Sequence, residues 1–365
     1  MAAINEPNVT IWPTRRSRGR RRSLVRSPFA GRLTVATVIA LLLPACAPHG
    51  SGTRPLLPLP SNVFLTVQYH SSDRALYLRS ASDGRVVRAL LPMKYEDISA
   101  AMAPDGSVLA AAQTGQCRVA LDRINPATLF RRQLRVIREP VLSLAVSPDG
   151  RNIGYLTTPP CSQSHALGGA GRGIAAAPAA PAAPAAFGPS VLVILNLTTG
   201  VRTATSVARG FPLVSVAFSP DGRSVATTYL RDGTIRVMPV AKLQIDRSRA
   251  LQPPQGCGYI NAVWTVAGID AITGCGQELL LSPGPLVQLT PAGRRLRSWP
   301  LPSCIDGTEL ATDNAKRQLL MQFSVGYGGD ACGQAPVQQI VEVTGRNIRP
   351  IIRTTGYEAQ YSLTG

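Results

Sequence analysis

The sequence predicts an all-β protein, a β-propeller of four-stranded blades, from a segment that is repeated along the chain. Residues 99–111, 143–155 and 215–227 each contain a serine, an alanine two residues later, a Pro-Asp-Gly turn and an apolar run. The turn prolines are 44 and then 72 residues apart, and the longer interval contains an Ala/Pro-rich insert of about 26 residues. A period of about 40–50 residues with four short strands per unit is typical of propeller blades.

The repeated turn has a clear physical basis. Proline fixes φ near −65° at the second turn position, aspartate caps its own backbone, and glycine accepts the positive φ needed for chain reversal. Apolar residues alternate on either side of the turn, as they do in half-buried strands. The small residues Ala101, Ala145 and Ala217 share one register, which suits an innermost strand that is crowded against the propeller axis.

Weaker copies extend the array towards the C-terminus. Residues 261–273 align with 215–227 at an offset of 46, and a further copy lies at 310–321. A second hairpin type, a strand, a turn and a strand, lies between the copies. Six of these outer hairpins can be recognised, at Leu76 to Gly84, near 117–138, at Val191 to Gly200, near 233–251, at Leu286 to Gly293 and at Ile340 to Gly345.

The two ends of the repeat array complement each other. Val63 to Tyr69 already resembles a second strand, and an unmatched strand, Tyr357 to Leu363, lies near the C-terminus. We therefore expect both ends to share one blade, which closes the ring and removes its sheet edges. Six units fit residues 62–365 best, with seven blades as the alternative.

The Ser-Pro-Asp-Gly-Arg turns at 147–151 and 219–223 resemble those of TolB-like and WD-type repeat propellers. The Trp-Asp dipeptide and the Gly-His pair of true WD repeats are absent, so the sequence is closer to the TolB-like, extracytoplasmic branch. The resemblance implies an interaction platform, although a propeller fold does not fix a function.

The N-terminal region predicts export. Eight arginines and no acidic residue occupy residues 15–32, and an 11-residue apolar run, 33–43, precedes Leu43-Pro44-Ala45-Cys46. This order is typical of a signal peptide over residues 1–45, and the last four residues resemble a bacterial lipobox in which Cys46 is lipidated. Residues 46–61 then form a flexible tether. A plain secretory signal is the alternative to the lipobox, and Arg21-Arg22 also resembles a twin-arginine export motif.

Six cysteines remain after Cys46, an even number that suggests disulfides in an exported protein. The repeat positions place all six at one face of the ring, in the connections before innermost strands or after second strands. The pairs that avoid a bridge through the blades are Cys117–Cys161, Cys257–Cys275 and Cys304–Cys332. A zinc site is disfavoured because the sequence lacks a Cys-x-x-Cys motif and a nearby pair of histidines.

The net charge of +18 includes +7 from residues 1–45, and arginine supplies nearly all of the remainder. This composition is typical of a GC-rich, actinobacterial type of genome. A basic exterior favours anionic headgroups or cell-wall polymers, but compositional drift on a solvated surface is the preferred explanation of this charge. Nucleic acid is not an expected partner because no basic patch has interleaved aromatic residues. The Ala/Pro/Gly-rich insert at about 162–189 cannot bury a core, so we expect it to be disordered. We expect the protein to be a monomer.

No catalytic, metal or cofactor site can be identified in the sequence. The three histidines, His49, His70 and His165, have no evident nucleophile or metal partner. The function favoured is therefore a membrane-anchored platform that binds a protein, peptide or glycan of the cell envelope. Tyr259 and Tyr327 are the predicted exposed contacts on the cysteine-bearing face, and the alternative is that both pack locally against the disulfides. The alternatives are a propeller enzyme resembling lactonases or sugar dehydrogenases, and a purely structural envelope component.

Overall fold

The fold follows the predicted repeat. The computed structural model describes residues 62–70, 73–115, 117–158, 190–207, 212–275, 283–301, 305–312, 318–325, 337–344, 347–355 and 360–364. These residues form six four-stranded antiparallel sheets, which are the six blades of a β-propeller. The predicted fold class and the blade number are therefore confirmed. The predicted signal peptide, tether and insert lie outside the described residues.

In the first three blades the four strands follow one another in the sheet from the innermost to the outermost position. Blade 1 contains β24 (Gln360–Thr364), β1 (Val63–His70), β2 (Asp73–Ser80) and β3 (Val86–Tyr95). Blade 2 contains β4 (Ile98–Met102), β5 (Val108–Gly115), β6 (Arg118–Ile124) and β7 (Arg131–Ile137). Blade 3 contains β8 (Ser143–Val146), β9 (Asn152–Thr157), β10 (Val191–Asn196) and β11 (Arg202–Ser206).

The other three blades repeat the same order. Blade 4 contains β12 (Leu213–Phe218), β13 (Ser224–Tyr229), β14 (Thr234–Pro239) and β15 (Arg249–Leu251), with a 3-10 helix at Ile245–Arg247 before β15. Blade 5 contains β16 (Cys257–Thr265), β17 (Gly268–Cys275), β18 (Pro283–Leu289) and β19 (Arg295–Trp299). Blade 6 contains β20 (Ile305–Thr312), β21 (Leu319–Val325), β22 (Val337–Thr344) and β23 (Asn347–Thr355).

The ring is closed by strands from opposite ends of the chain, as the sequence predicts. β24 pairs antiparallel with β1, and Thr66 lies opposite Leu363. Each innermost strand contacts the innermost strands of both neighbouring blades, so that β4, β8, β12, β16, β20 and β24 form a complete circle. Closure in this way gives β1 a hydrogen-bonded partner on both sides, as the second strand has in every other blade.

The Ser-Pro-Asp-Gly-Arg turns are held by one set of hydrogen bonds. In blade 3 the Ser147 hydroxyl donates to Asp149 Oδ1 (2.5 Å) and accepts from the Asn152 N–H (2.9 Å). Ser219 repeats both contacts in blade 4, at 2.5 and 2.9 Å. Gly150 has φ +68°, in the left-handed region that a side chain disfavours. The Ser-Pro-Asp-Gly-Arg pattern is therefore a local turn requirement, satisfied in the same way in blades 3 and 4.

The hydrophobic core consists of layers between neighbouring blades. Six clusters of buried residues are found among the described residues, and each joins two adjacent blades. The alanine register predicted from Ala101, Ala145 and Ala217 continues in Ala311 on β20, which also packs towards the following blade, whereas the equivalent place on β16 is taken by Val263. Three of these four alanines are buried, and Ala217 is half-buried. Small side chains therefore let the innermost strands approach each other.

The repeated meander divides the strand connections between two faces. We call the face with the first-to-second and third-to-fourth strand connections the turn face, because it carries the Pro-Asp-Gly turns. The opposite face carries the connections into innermost strands and from second to third strands, and we call it the cysteine face. No described helix is long and apolar enough to span a membrane.

Candidate binding face

One predicted disulfide lies on the cysteine face of blade 5. Cys257 is the first residue of β16 and Cys275 the last residue of β17, and the two are directly opposite in the strand register. Their sulfur atoms are bonded. The bond closes the open end of this hairpin, so that the first and second strands of blade 5 are covalently linked at the face.

A second disulfide involves blade 2. Cys117 is disulfide-bonded and lies in the connection between β5 and β6, with φ +60°. Its partner is outside the described residues, as are Cys161, Cys304 and Cys332 and the lipidation candidate Cys46. The pairs Cys117–Cys161 and Cys304–Cys332 therefore stay predictions.

The prediction that Tyr259 is an exposed contact is wrong, because its side chain is only 2% exposed. The strand β16 has an irregular register between Tyr259 and Asn261, which turns the tyrosine into the layer between blades 4 and 5 beside Trp264. Its hydroxyl donates to the Gln252 carbonyl oxygen at 3.2 Å, and burial raises the pKa of the phenol. Tyr327, the other predicted contact, lies outside the described residues.

Blade 4 covers Tyr259 through a close backbone contact. The Tyr259 N–H donates to the Gly233 carbonyl oxygen at 2.7 Å. Gly233 has φ +63°, and a Cβ atom there would lie 2.5 Å from the Gly258 Cα atom. A glycine is therefore needed at 233, where the β13–β14 connection meets the start of β16 next to the disulfide. This contact joins the two blades into one surface.

A cleft of ≈ 280 Å³ opens beside this contact. It lies between the β13–β14 connection and the 3-10 helix, and is lined by Tyr229, Arg231, Asp232, Arg236, Ile245 and Asp246. These residues were not recognised in the sequence, because an Asp-Gly pair between two strands has the pattern of an ordinary turn. Tyr229, Arg231 and Arg236 share a short segment, which is the available sequence signal for the site.

Part of the cleft is rigidly organised. Asp232 accepts hydrogen bonds from the Thr234 N–H (3.1 Å) and hydroxyl (2.6 Å), and it forms an ion pair with Arg236. Partial burial opposes ionisation, but these contacts outweigh it and lower the pKa of Asp232. The Arg236 guanidinium lies over the Tyr229 ring, 5.6 Å from its centroid. Arg231 is exposed at the mouth of the cleft, where it can contact a ligand.

The wall of the central channel carries few charged groups among the described side chains. β4, β8, β12 and β16 contain no aspartate, glutamate or histidine. On β20 the described side chain of Glu309 accepts a hydrogen bond from the Leu363 N–H at 2.9 Å. Within the described ranges, no group of three histidine, cysteine or acidic residues is placed to hold a metal ion.

We expect the double substitution Cys257→Ser, Cys275→Ser to lower the free energy of unfolding by about 2 kcal/mol, because it restores conformational freedom to the unfolded hairpin. Urea unfolding under oxidising conditions measures the change. A reducing agent should destabilise the unsubstituted protein but have a smaller effect on the variant. Equal midpoints for the two proteins under oxidising conditions would show that the bond adds no stability.

Comparisons with known proteins identify the fold. No protein-family model matches the chain, and no curated protein matches its sequence. TolB from Acinetobacter baumannii has a similar structure, with a TM-score of 0.55 and 12% identity over 82% of this chain and 65% of that one. A periplasmic gluconolactonase from Pseudomonas aeruginosa has a TM-score of 0.47 and 17% identity over 80% of this chain and 83% of that one. The TolB-like propeller predicted from the repeated turns is thus confirmed at the level of the fold.

Proposed function

We propose that this protein is an exported, membrane-anchored propeller that binds a protein, peptide or glycan on its cysteine face, at the cleft beside Arg231. The observation that carries the proposal is the organisation of this cleft. Asp232 and Arg236 are fixed by each other and by Thr234, and the adjoining loop is held against a disulfide-linked hairpin. A surface that is ordered before binding loses less entropy when a ligand arrives.

The lining of the cleft favours a polar ligand. Arg231 offers several hydrogen-bond donors, and Asp246 supplies an acceptor on the opposite wall. The Tyr229 side chain is buried and the Arg236 guanidinium lies over its ring, so the groups open to a ligand are mainly polar. A segment of peptide or glycan that offers several hydrogen-bonding groups fits this chemistry.

An extracytoplasmic location belongs to the same proposal. Disulfides persist in oxidising compartments and are rare in the cytosol, and the Cys257–Cys275 bond supports an exported protein for that reason. In this proposal Cys46 carries the lipid and residues 46–61 tether the propeller to the outer face of the cell membrane. Secretion without an anchor is the alternative.

A photo-crosslinking residue in place of Arg231 is expected to give one discrete adduct in intact cells, because this position lies at the mouth of the proposed site. Arg223 is the matched control, since it is also an exposed arginine of blade 4 but lies on the turn face. Mass spectrometry of the adduct identifies the ligand. Absence of a discrete adduct at position 231, or the same adduct at position 223, would contradict binding at this cleft.

Cys46→Ala is expected to move the protein from the membrane to the medium or to leave it as an uncleaved precursor, because lipidation and cleavage both need the thiol. Cell fractionation and the apparent mass of the protein measure the outcome. Cys46 would not be the anchor if the variant stayed in the membrane fraction at the mature size.

A further inference from the structure

The connection between β6 and β7 presents an apolar tip to solvent on the turn face. Phe130 is 66% exposed and Leu129 is 42% exposed. The basic side chains of Arg132 and Arg135 follow on β7 and are exposed as well. An aromatic and an aliphatic side chain, held next to arginines, form the pattern of a segment that enters a membrane interface.

The tip is strained, as comparison with its own repeats shows. In blade 2 the Asn125 side chain accepts from the Ala127 and Thr128 N–H groups, and Leu129 N–H donates to the Asn125 carbonyl oxygen. Asn196 makes the same contacts in blade 3, but the residue at the place of Leu129 is Gly200.

Both residues adopt the left-handed conformation, with φ +58° for Leu129 and +76° for Gly200. Blade 1 also has a glycine at this place, Gly84, with φ +71°. Leucine rarely adopts this conformation, and strained residues of this kind cluster at functional sites. The chain therefore keeps an exposed leucine at a position where blades 1 and 3 have glycine.

The other exposed apolar side chains lie on the same face. Among the described residues, seven large hydrophobic side chains are exposed. Six of them lie in turn-face connections or within two residues after one, and Val136 in β7 is the exception. The six are Val86, Leu129, Phe130, Val201, Val266 and Leu296.

Among the described residues, the charges of the two faces differ in sign. The described turn-face connections, with their flanking strand residues and without the 3-10 helix that lines the cleft, carry nine basic and four acidic residues. The basic ones are Arg85, Arg131, Arg151, Arg202, Arg223, Lys242, Arg249, Arg294 and Arg295, and the acidic ones are Asp83, Asp105, Asp149 and Asp221. The described connections of the cysteine face, with their flanking strand residues, carry three basic residues, Arg118, Arg138 and Arg231, and five acidic ones, Asp73, Glu96, Asp97, Glu139 and Asp232. A negatively charged surface is therefore attracted to the turn face and repelled by the cysteine face.

The chain also joins the propeller on this face. β1 begins at Val63 on the turn face and runs towards the cysteine face at His70. The residues between Cys46 and Val63 are therefore attached to the propeller at the face that carries the apolar tip and the excess of arginine.

We propose that the turn face lies on an anionic phospholipid bilayer, with Leu129 and Phe130 inserted at the boundary between headgroups and acyl chains. This inference rests on the membrane attachment proposed above and adds an orientation to it. Arginines around the tip contact lipid phosphates, and the cysteine face points away from the membrane towards its ligand. The lipid on Cys46 and the apolar tip act as two membrane signals, a combination that holds more firmly than either alone.

The test places a tryptophan at the tip of the full chain. Phe130→Trp is compared with Val136→Trp, an exposed apolar position of the same blade outside the tip. Vesicles contain phosphatidylcholine and phosphatidylglycerol with brominated acyl chains, which quench tryptophan on contact. The signal of the unsubstituted chain is subtracted, and its two propeller tryptophans, Trp264 and Trp299, are buried. We expect quenching at position 130 to exceed that at 136 by about threefold and to weaken at high salt.

A second variant separates membrane contact from folding. The double variant Leu129→Gly, Phe130→Trp has at position 129 the glycine that blades 1 and 3 have there. Its melting temperature should equal or exceed that of Phe130→Trp alone, whereas its quenching by bromine should be weaker.

Two outcomes overturn the proposal. The first is equal quenching at positions 130 and 136 on vesicles that retain the protein. The second is that the tryptophan at position 130 becomes inaccessible to the soluble quencher iodide as the protein concentration rises, yet is not quenched by brominated lipid. This result would mean that a second copy of the chain covers the tip. Failure of the protein to stay on the vesicles would contradict both the orientation and the attachment, and the Cys46→Ala fractionation reports on the attachment alone.

Discussion

Leu363→Asp is expected to destabilise the propeller by about 4 kcal/mol or more, because it breaks the closure of the ring. Leu363 is buried in the layer between blades 6 and 1, against Phe64, Leu320 and Ile340. Its N–H donates to Glu309 Oε2 at 2.9 Å and to Gln322 Oε1 at 3.0 Å. An aspartate would therefore bring a second carboxylate next to Glu309, in a region that excludes water. Urea unfolding and resistance to protease measure the effect.

Val136→Asp is the control for this prediction, because it introduces the same charge at an exposed position of an outermost strand. We expect its unfolding midpoint to stay close to that of the unsubstituted protein. If both variants unfolded at the same urea concentration, the C-terminal strand would not be holding the ring together.

Asp270→Asn is expected to stabilise the protein above pH 7 by up to about 3 kcal/mol. Asp270 is 1% exposed on β17, and burial raises its pKa to about 6, although hydrogen bonds from Thr265 (2.8 Å) and Gln288 (3.0 Å) oppose the shift. An asparagine can accept from Gln288 and donate to the Thr265 hydroxyl, whose proton can then go to the Gly268 carbonyl oxygen. The polar contacts are kept and the buried charge is removed.

The raised pKa fixes the direction of the pH dependence. Between pH 4 and 6 the folded protein keeps the Asp270 proton while the unfolded chain has lost it, so the free energy of unfolding falls as the pH rises through this range. Above the folded pKa the loss is complete and constant. The variant should therefore match the unsubstituted protein near pH 4 and be more stable at pH 7.5, which thermal unfolding at the two pH values will measure.

Asp122→Asn is the matched control for the change at Asp270. Asp122 is also a fully buried carboxylate, but it forms an ion pair with Arg131 at 2.5 Å. Its replacement leaves a guanidinium without its counter-charge, so this variant should be less stable at both pH values. If Asp270→Asn were also destabilising at pH 7.5, its carboxylate would be a net stabilising group.

The fold could be predicted because blades 3 and 4 satisfy the same local turn requirement and blade 2 has a closely similar turn. The serine, aspartate and glycine of the turn at 147–151 make contacts within five residues of each other, and such contacts leave a direct pattern in the sequence. Closure of the ring followed from counting strands at the two ends.

The binding face was less accessible to sequence analysis. The burial of Tyr259 depends on an irregular register in β16 and on a loop of the neighbouring blade, and neither leaves a local pattern. The cleft at Arg231 likewise combines the β13–β14 connection with a 3-10 helix that follows the next strand. The net charge of the chain does not reveal the unequal charge of the two faces, which can be counted only after each connection has been assigned to a face.

Closure by β24 makes the ring sensitive to the order of synthesis. β24 is translated after every other strand of the propeller, while its partner β1 is translated first. Blades 2 to 6 can therefore form on a growing chain, whereas blade 1 has three strands and an unpaired edge until residues 360–364 arrive. An unpaired edge is a template for pairing with other chains and a point of access for proteases and chaperones. Only a chain that has been translated through β24 can therefore pair the exposed edge of β1, and a truncated chain leaves that edge open.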